Sequence, residues 1–282
     1  MRTVADIMTS MPIVATVPGS RNDAINLMVR NKLTGVPVVR ESDGQLMGIV
    51  SRRDVFKNMN EEQLSMLMKK NPITISPDKT IAEAAKIFYD LRIHRLPVVD
   101  KGKLVGLVTP TDLLREIRTM KTKVTAIDAV RVACVTCYKD DPLSYVVAAM
   151  RISNVTAMPV LDERGNIIGL ITDRDLFNDQ TMDVADMKKM GLDDSAASLA
   201  GYRNVLPLFC VATRDDISDV GEVSRYMVKS PTTVFKKTTL NEVAKIMFHN
   251  DFGQVPVHGD RNELVGMIYD VDVLAALMEA EN

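Results

Sequence analysis

Two groups of residues in this 282-residue chain have the types and spacing to do chemistry. The first is a polar motif that closes an apolar run: Ser51-x-x-Asp54, Thr109-x-x-Asp112 and Thr172-x-x-Asp175, with Tyr269-x-x-Asp272 as a variant. A Ser or Thr followed three residues later by an acid is a helix-capping box. Each side chain satisfies a backbone N–H that the first turn leaves free, a device worth about 1 kcal/mol with no ligand present. In the Tyr269 copy the reciprocal hydroxyl cap is lost, although an acid in the first turn still suits the helix dipole. The second group is His94-Arg95, set directly before "LPVVD", a run that reads as buried strand. An exposed pair at a strand entry and a ligand contact both account for it.

Other chemistries find little footing. Cys134 and Cys137 stand three apart on an expected strand, an offset that turns side chains to opposite faces. Cys210 stands alone, and His94, His249 and His258 form no helical or hairpin ligand pair. No metal or redox centre is therefore expected. Neither a Ser/His/Asp or Cys/His set, a carboxylate pair, a Walker motif nor a dinucleotide Gly motif stands out, so no enzyme is expected. The 18 Met fall on helical apolar positions and read as core filling.

The elements that must position these residues repeat four times. Pro37, Pro97, Pro159 and Pro256 each sit in an apolar run, with Met8, Met68, Val130 and Met227 twenty-nine residues upstream. Gly48, Gly106, Gly169 and Gly266 follow downstream, and six residues after each comes the Asp of the polar motif. Only the loop between Pro and Gly changes length, from nine to eleven residues. Within a unit, "PITISP" is a short extended run closed by Pro. "TIAEAAKIFYDL" places Ile81, Ala84, Ala85, Phe88 and Leu91 on one helical face,. Thr80 with Glu83, Ser20 with Asp23 and Thr239 with Glu242 cap that first helix,. Two apolar strands around a Gly-containing turn follow, and the polar motif opens a second helix. The order is strand, helix, strand, strand, helix, an α+β unit.

The unit "MKKNPITISP…AEAAKIF…HRLPVVD…LVGLVTPTDLL" resembles the cystathionine-β-synthase (CBS) domain, and all four copies match. The resemblance implies pairing two by two into pseudo-symmetric Bateman modules. The linkers agree, with 13 residues between Asp54 and Met68 but 51 between Asp175 and Met227. The expected modules are 1–121, with repeats at about 4–57 and 64–118, and 122–282, with repeats at about 126–178 and 223–281. An insertion at 178–222 holds nine acids and four bases, and reads as a connector or a docking surface. Four domains in two modules are similar to the gamma subunits of AMP-activated protein kinase.

Such domain pairs commonly bind adenine nucleotides, so AMP, ADP or ATP is the regulatory ligand the resemblance implies. It assigns the ribose to Asp54, Asp112, Asp175 and Asp272. It assigns phosphates to His94, Arg95, Ser51, Thr109 and Thr172, the hydroxyls joining free N–H groups at a helix start, and Arg53 beside Asp54 and Arg174 beside Asp175 are candidate bases for clefts that lack the His94-Arg95 charge. The base would meet Thr34, Gly35, Val36, Thr74, Ile75, Leu96, Thr156 and Met158. Thr34-Gly35, Thr156-Ala157 and Gly253-Gln254 stand where His94-Arg95 stands, so the four clefts are not equivalent. The best are expected in the first module and the weakest at Tyr269.

A net charge of −2 supplies no general field for nucleic acid or an anionic membrane. No apolar run approaches the roughly 20 residues that span a bilayer. "MRTVADIMTS" lacks the apolar core of a secretory signal, and an odd Cys count fits a reducing compartment, so a soluble, cytoplasmic protein is expected. Two alternatives stay open. A sensor of another adenosyl ligand such as S-adenosylmethionine would find His94 and Arg95 unhelpful to its sulfonium. An interaction scaffold would carry empty clefts. Sensor and scaffold both imply a protein partner that the sequence does not name, and CBS modules often associate, which implies a homodimer.

Overall fold

The computed structural model describes residues 2–57, 61–172 and 221–279, so most of the expected insertion, with Asp175, Arg174 and Cys210, lies outside the described residues. The first repeat contains β2 (Ala15–Val17), α1 (Arg21–Arg30), β3 (Gly35–Arg40), β4 (Leu46–Ser51) and α2 (Arg52–Lys57). The second contains α3 (Leu64–Leu67), α4 (Ile81–Leu91), β6 (Leu96–Asp100), β7 (Lys103–Val108) and α5 (Pro110–Ile117). Its expected first strand is reduced to an isolated parallel bridge between Ile75 and Val98. α6 (Ala126–Ala129), β8 (Cys137–Tyr138), α7 (Leu143–Ser153), β9 (Ala157–Leu161) and β10 (Ile167–Thr172) form the described part of the third repeat. The fourth contains β12 (Val234–Phe235), α8 (Leu240–Asn250), β13 (Gln254–His258), β14 (Leu264–Tyr269), α9 (Asp270–Val273) and α10 (Ala275–Glu279).

The first helices start where their caps dictate. The Thr80 backbone N–H donates to Glu83 Oε2 at 2.8 Å, and Glu83 N–H donates to Thr80 Oγ1 at 3.1 Å. Ser20 with Asp23 and Thr239 with Glu242 repeat the arrangement. Lys32, Arg92, Asn154 and Asp251, each five residues before the repeat Pro, all adopt positive φ, between 49° and 56°. A left-handed residue there ends the helix run and redirects the chain into the strand.

A lead segment before each repeat crosses to its neighbour. β1 (Thr9–Ser10) pairs with β7, β5 (Lys69–Lys70) with β4, and β11 (Val228–Lys229) with β10. Backbone bonds at the helix starts follow the same exchange. Val4 N–H donates to Lys79 O at 2.7 Å, Leu64 N–H to Gly19 O at 3.1 Å, and Ala126 N–H to Thr238 O at 2.8 Å. Val223 N–H completes the set at Asp141 O, 3.0 Å. The landmark residues explain themselves here. A Cβ on Gly106 would lie 2.3 Å from Met8 Sδ, one on Gly48 2.9 Å from Met68 Sδ, and one on Gly169 2.2 Å from Met227 Sδ. The glycines are bare because the partner's methionine lies on them. Val130 contacts Gly266 in the same way, but among the described residues its lead segment pairs with no strand.

The first and third repeats have their own cores, around Ile25 and Val38 and around Met150 and Met158. The second and fourth share one, from Phe88 and Leu96 through Ile117 to Leu240 and Leu277. α8 packs on α5, and α9 and α10 pack on α4. Met28, Met150, Met158 and Met247 are buried as expected, whereas Met11 and Met66 are exposed.

Candidate functional site

In the first two copies the polar motif caps its helix with only one of its carboxylate oxygens. Asp54 Oδ2 accepts the Ser51 N–H at 2.9 Å and the Ser51 hydroxyl at 2.5 Å. Asp112 Oδ2 accepts the Thr109 N–H and hydroxyl, both at 2.8 Å. Among the described residues, no hydrogen bond reaches Oδ1 of either carboxylate, and both aspartates are half-buried. Capping and ligand binding are therefore compatible: one oxygen holds the helix start while the other can accept hydroxyls. In the Tyr269 copy, Oδ2 of Asp272 accepts the Tyr269 N–H at 3.1 Å. That Asp is fully buried.

His94 and Arg95 go to different repeats. The Arg95 guanidinium crosses to the first repeat, where Nη2 donates to Thr34 Oγ1. A Cβ on Gly35 would stand 2.9 Å from Arg95 Cζ and 2.8 Å from Val50 O, so the missing side chain of Gly35 makes the seat for the guanidinium. Burial first, then repulsion from Arg52, lower its pKa from 12.5 to about 10, against the attraction of Asp54. Among the described residues no carboxylate is in ion-pair contact with it. His94 instead faces the fourth repeat, with Nδ1 3.6 Å from Asp270 Oδ1. Thr156 and Gln254 occupy the positions of Thr34 and Arg95 in the other half of the chain. They also meet, but with Thr156 Oγ1 donating to Gln254 Oε1 at 3.3 Å, the reverse direction and without charge.

Several of the residues expected to meet the base have side chains that lie in the cores. Val36, Leu96 and Met158 are at most 1% exposed and belong to the three cores, because strand alternation turns them inward. Ile75 is buried and holds β6 through Val99 N–H to Ile75 O at 2.9 Å. Thr34, Thr74 and Thr156 keep exposed surface. Arg53 is exposed, and Thr172 ends β10 half-buried. Arg92 was missed by sequence reasoning: its Nη1 donates to Asp272 Oδ1 at 2.6 Å. Only its place five residues before the Pro distinguishes it in the sequence.

Burial pushes the Cys134 thiol up to about 11. Burial, with Asp141 nearby, pushes that of Cys137 up to about 12. Among the described residues no group of His, Cys, Asp or Glu is arranged to hold a metal ion. No described helix is long and apolar enough to cross a membrane.

The comparisons agree with this architecture. The CBS domain matches residues 4–61, 64–119, 124–180 and 220–279. The protein MJ1225 of Methanocaldococcus jannaschii is 26% identical over 192 residues, covering 62% of this chain and 68% of its own. Its crystal structure, described as that of a proposed archaeal homologue of the gamma subunit of AMP-activated protein kinase, has a TM-score of 0.72 at 21% identity. It covers 97% of this chain and 99% of its own. CBSX2 of Arabidopsis thaliana, solved in complex with AMP, is 30% identical, covers 41% of this chain and 96% of its own, and has a TM-score of 0.40. L-aspartate semialdehyde sulfurtransferase of M. jannaschii is 33% identical over 111 residues, covering 39% of this chain. The chain spans about a fifth of that relative, 21% of its length. With four matches across most of its length and the fold of an archaeal neighbour over nearly all of it, the protein belongs to the CBS domain family.

Proposed function

We propose that this chain is a non-catalytic regulator that binds an adenine nucleotide, AMP, ADP or ATP, between its first and second repeats. The carrying observation is Arg95, a half-buried cation with no carboxylate in ion-pair contact among the described residues, held by Gly35 and Thr34 beside Asp54 and Arg52. A charge partly withdrawn from water is costly until it is paired, and a phosphate supplies the pair. In this reading Asp54 Oδ1 accepts ribose hydroxyls while Oδ2 keeps the cap, and Thr34 and Thr74 border the base. Asp112 with Thr109 forms a second cleft of the same kind. The repeats work as the pairs 1–121 and 122–282, and binding changes the geometry of the first pair for a protein partner. The neutral Thr156–Gln254 contact favours a phosphate-poor adenosyl ligand, such as S-adenosylmethionine, in the second pair.

The test is thermal unfolding of ligand-stripped protein with AMP, ADP, ATP, adenosine and S-adenosylmethionine. A nucleotide at about a hundredfold its Kd stabilises by about 2.7 kcal/mol, a shift of several degrees. The expected order is nucleotides above adenosine. No shift from any nucleotide, or an equal shift from adenosine, overturns the reading.

A further inference from the structure

The Tyr269 copy of the polar motif is occupied by the protein itself. Asp272 is 0% exposed. Its Oδ1 accepts Arg92 Nη1 at 2.6 Å, and its Oδ2 is shared between Arg92 Nη2 at 3.4 Å and the Tyr269 N–H at 3.1 Å. Arg92 belongs to the second repeat, so the contact joins the two halves of the chain. The same guanidinium lies over the Tyr269 ring, 5.3 Å from its centroid, and burial raises the phenol's pKa. Arg92 is itself fixed, closing α4 in a left-handed conformation at φ 49°. Around it α4 packs on α9 and α10 within the core shared by the second and fourth repeats. A sugar hydroxyl must come within about 3 Å of a carboxylate oxygen to bind it. With no accessible surface on Asp272, none can do so unless Arg92 leaves.

We infer that the fourth cleft is a lock and not a ligand site. Arg92 fills it from the opposite half of the chain, and with Asp272 and Tyr269 it fastens the second repeat to the fourth. Ligand capacity is thereby confined to the other clefts. This assignment concerns the same kind of cleft as the reading above, yet it stands on contacts present without any ligand, so the two fail separately.

The experiment is a double-mutant cycle with a ligand count. Arg92→Gln and Asp272→Asn are made singly and together in the full chain, and Tm is measured without ligand. Removing one member of a buried ion pair strands the other. Each single variant is expected to lose about 4–8 °C at this partly exposed pair, and the double variant much less than the sum. Calorimetric titration with AMP then counts equivalents per chain, which Asp272→Asn is expected to leave at the wild-type number. An AMP equivalent lost in Asp272→Asn, or Tm losses that simply add, overturns the lock. If Asp272→Asn does not fold, Arg92→Gln alone serves: a lower Tm with no equivalent lost supports the lock, and a lost equivalent overturns it. If the wild type binds no AMP, the nucleotide reading falls while the Tm cycle still decides the lock.

Discussion

Replacing Arg95 by Gln should weaken AMP binding and stabilise the empty protein. Gln is the residue at the equivalent position 254, where it meets Thr156 at 3.3 Å, so the variant copies a contact this chain already uses. A guanidinium held at about 10 and not 12.5 costs the empty fold roughly 3 kcal/mol, about half of that after solvent screening at a half-buried site. The sign follows from the direction. The folded value lies below the unfolded one, so the cost is carried in full at neutral pH and relaxes only as pH rises through the folded value. Removing the charge also removes the Thr34 hydrogen bond unless Gln restores it. The net expectation is a Tm gain of about 2–4 °C without ligand. A hydrogen bond to a charged group is worth about 1.5–3 kcal/mol, so AMP should bind about 10- to 150-fold more weakly. Adenosine, lacking the phosphate, should be nearly unaffected. Calorimetry with AMP and adenosine, alongside ligand-free melting, separates the two effects. If the empty variant melts several degrees lower, or both ligands weaken alike, Arg95 is a packing residue and the phosphate assignment is wrong.

Two further outcomes follow from the fold. Gly106→Val should destabilise by about 1–3 kcal/mol through overpacking against Met8, and Met8→Ala in the same chain should recover part of that loss in urea unfolding; strictly additive losses would remove the close contact as the cause. The Asp23 carboxyl is held below its ordinary range by hydrogen bonds from the Ser20 side chain and backbone. A lowered carboxyl contributes stability above its unfolded value that is lost as pH falls through the folded one. The urea midpoint should therefore drop below about pH 4, and Ser20→Ala should cost about 1 kcal/mol at neutral pH while flattening that acid limb.

What the sequence showed of the fold was local. The capping pairs Ser20–Asp23, Thr80–Glu83 and Thr239–Glu242 lie at the helix starts they predicted. The Pro-centred strands and Gly turns likewise form the hairpins. The exchange of lead segments was not legible, because a two-residue strand such as Thr9–Ser10 is too short to show a period. Its signal was nevertheless present in the fixed spacing of Met8, Met68 and Met227 to the repeat prolines, each Met lying against the Gly of the neighbouring repeat. Val130 broke that pattern, and among the described residues its lead segment pairs with no strand.

The site was legible as a list of residues and illegible as a set of places. Four copies of one motif suggested four graded clefts, yet a motif fixes only what lies within its own repeat. That covers the cap at Ser51, Thr109 and Tyr269 and the Oδ2 oxygen it consumes. What becomes of Oδ1 is decided by residues more than a hundred positions away in the Asp272 copy, where Arg92 takes it. His94 and Arg95 show the same limit at closer range. Adjacent residues entering a strand point to opposite sides, so one faces Asp270 of the fourth repeat and the other Thr34 of the first. Their charge marks both as unusual for a strand entry, but only the packing of one repeat against another tells which becomes a contact between halves of the chain and which, among the described residues, is in ion-pair contact with no carboxylate.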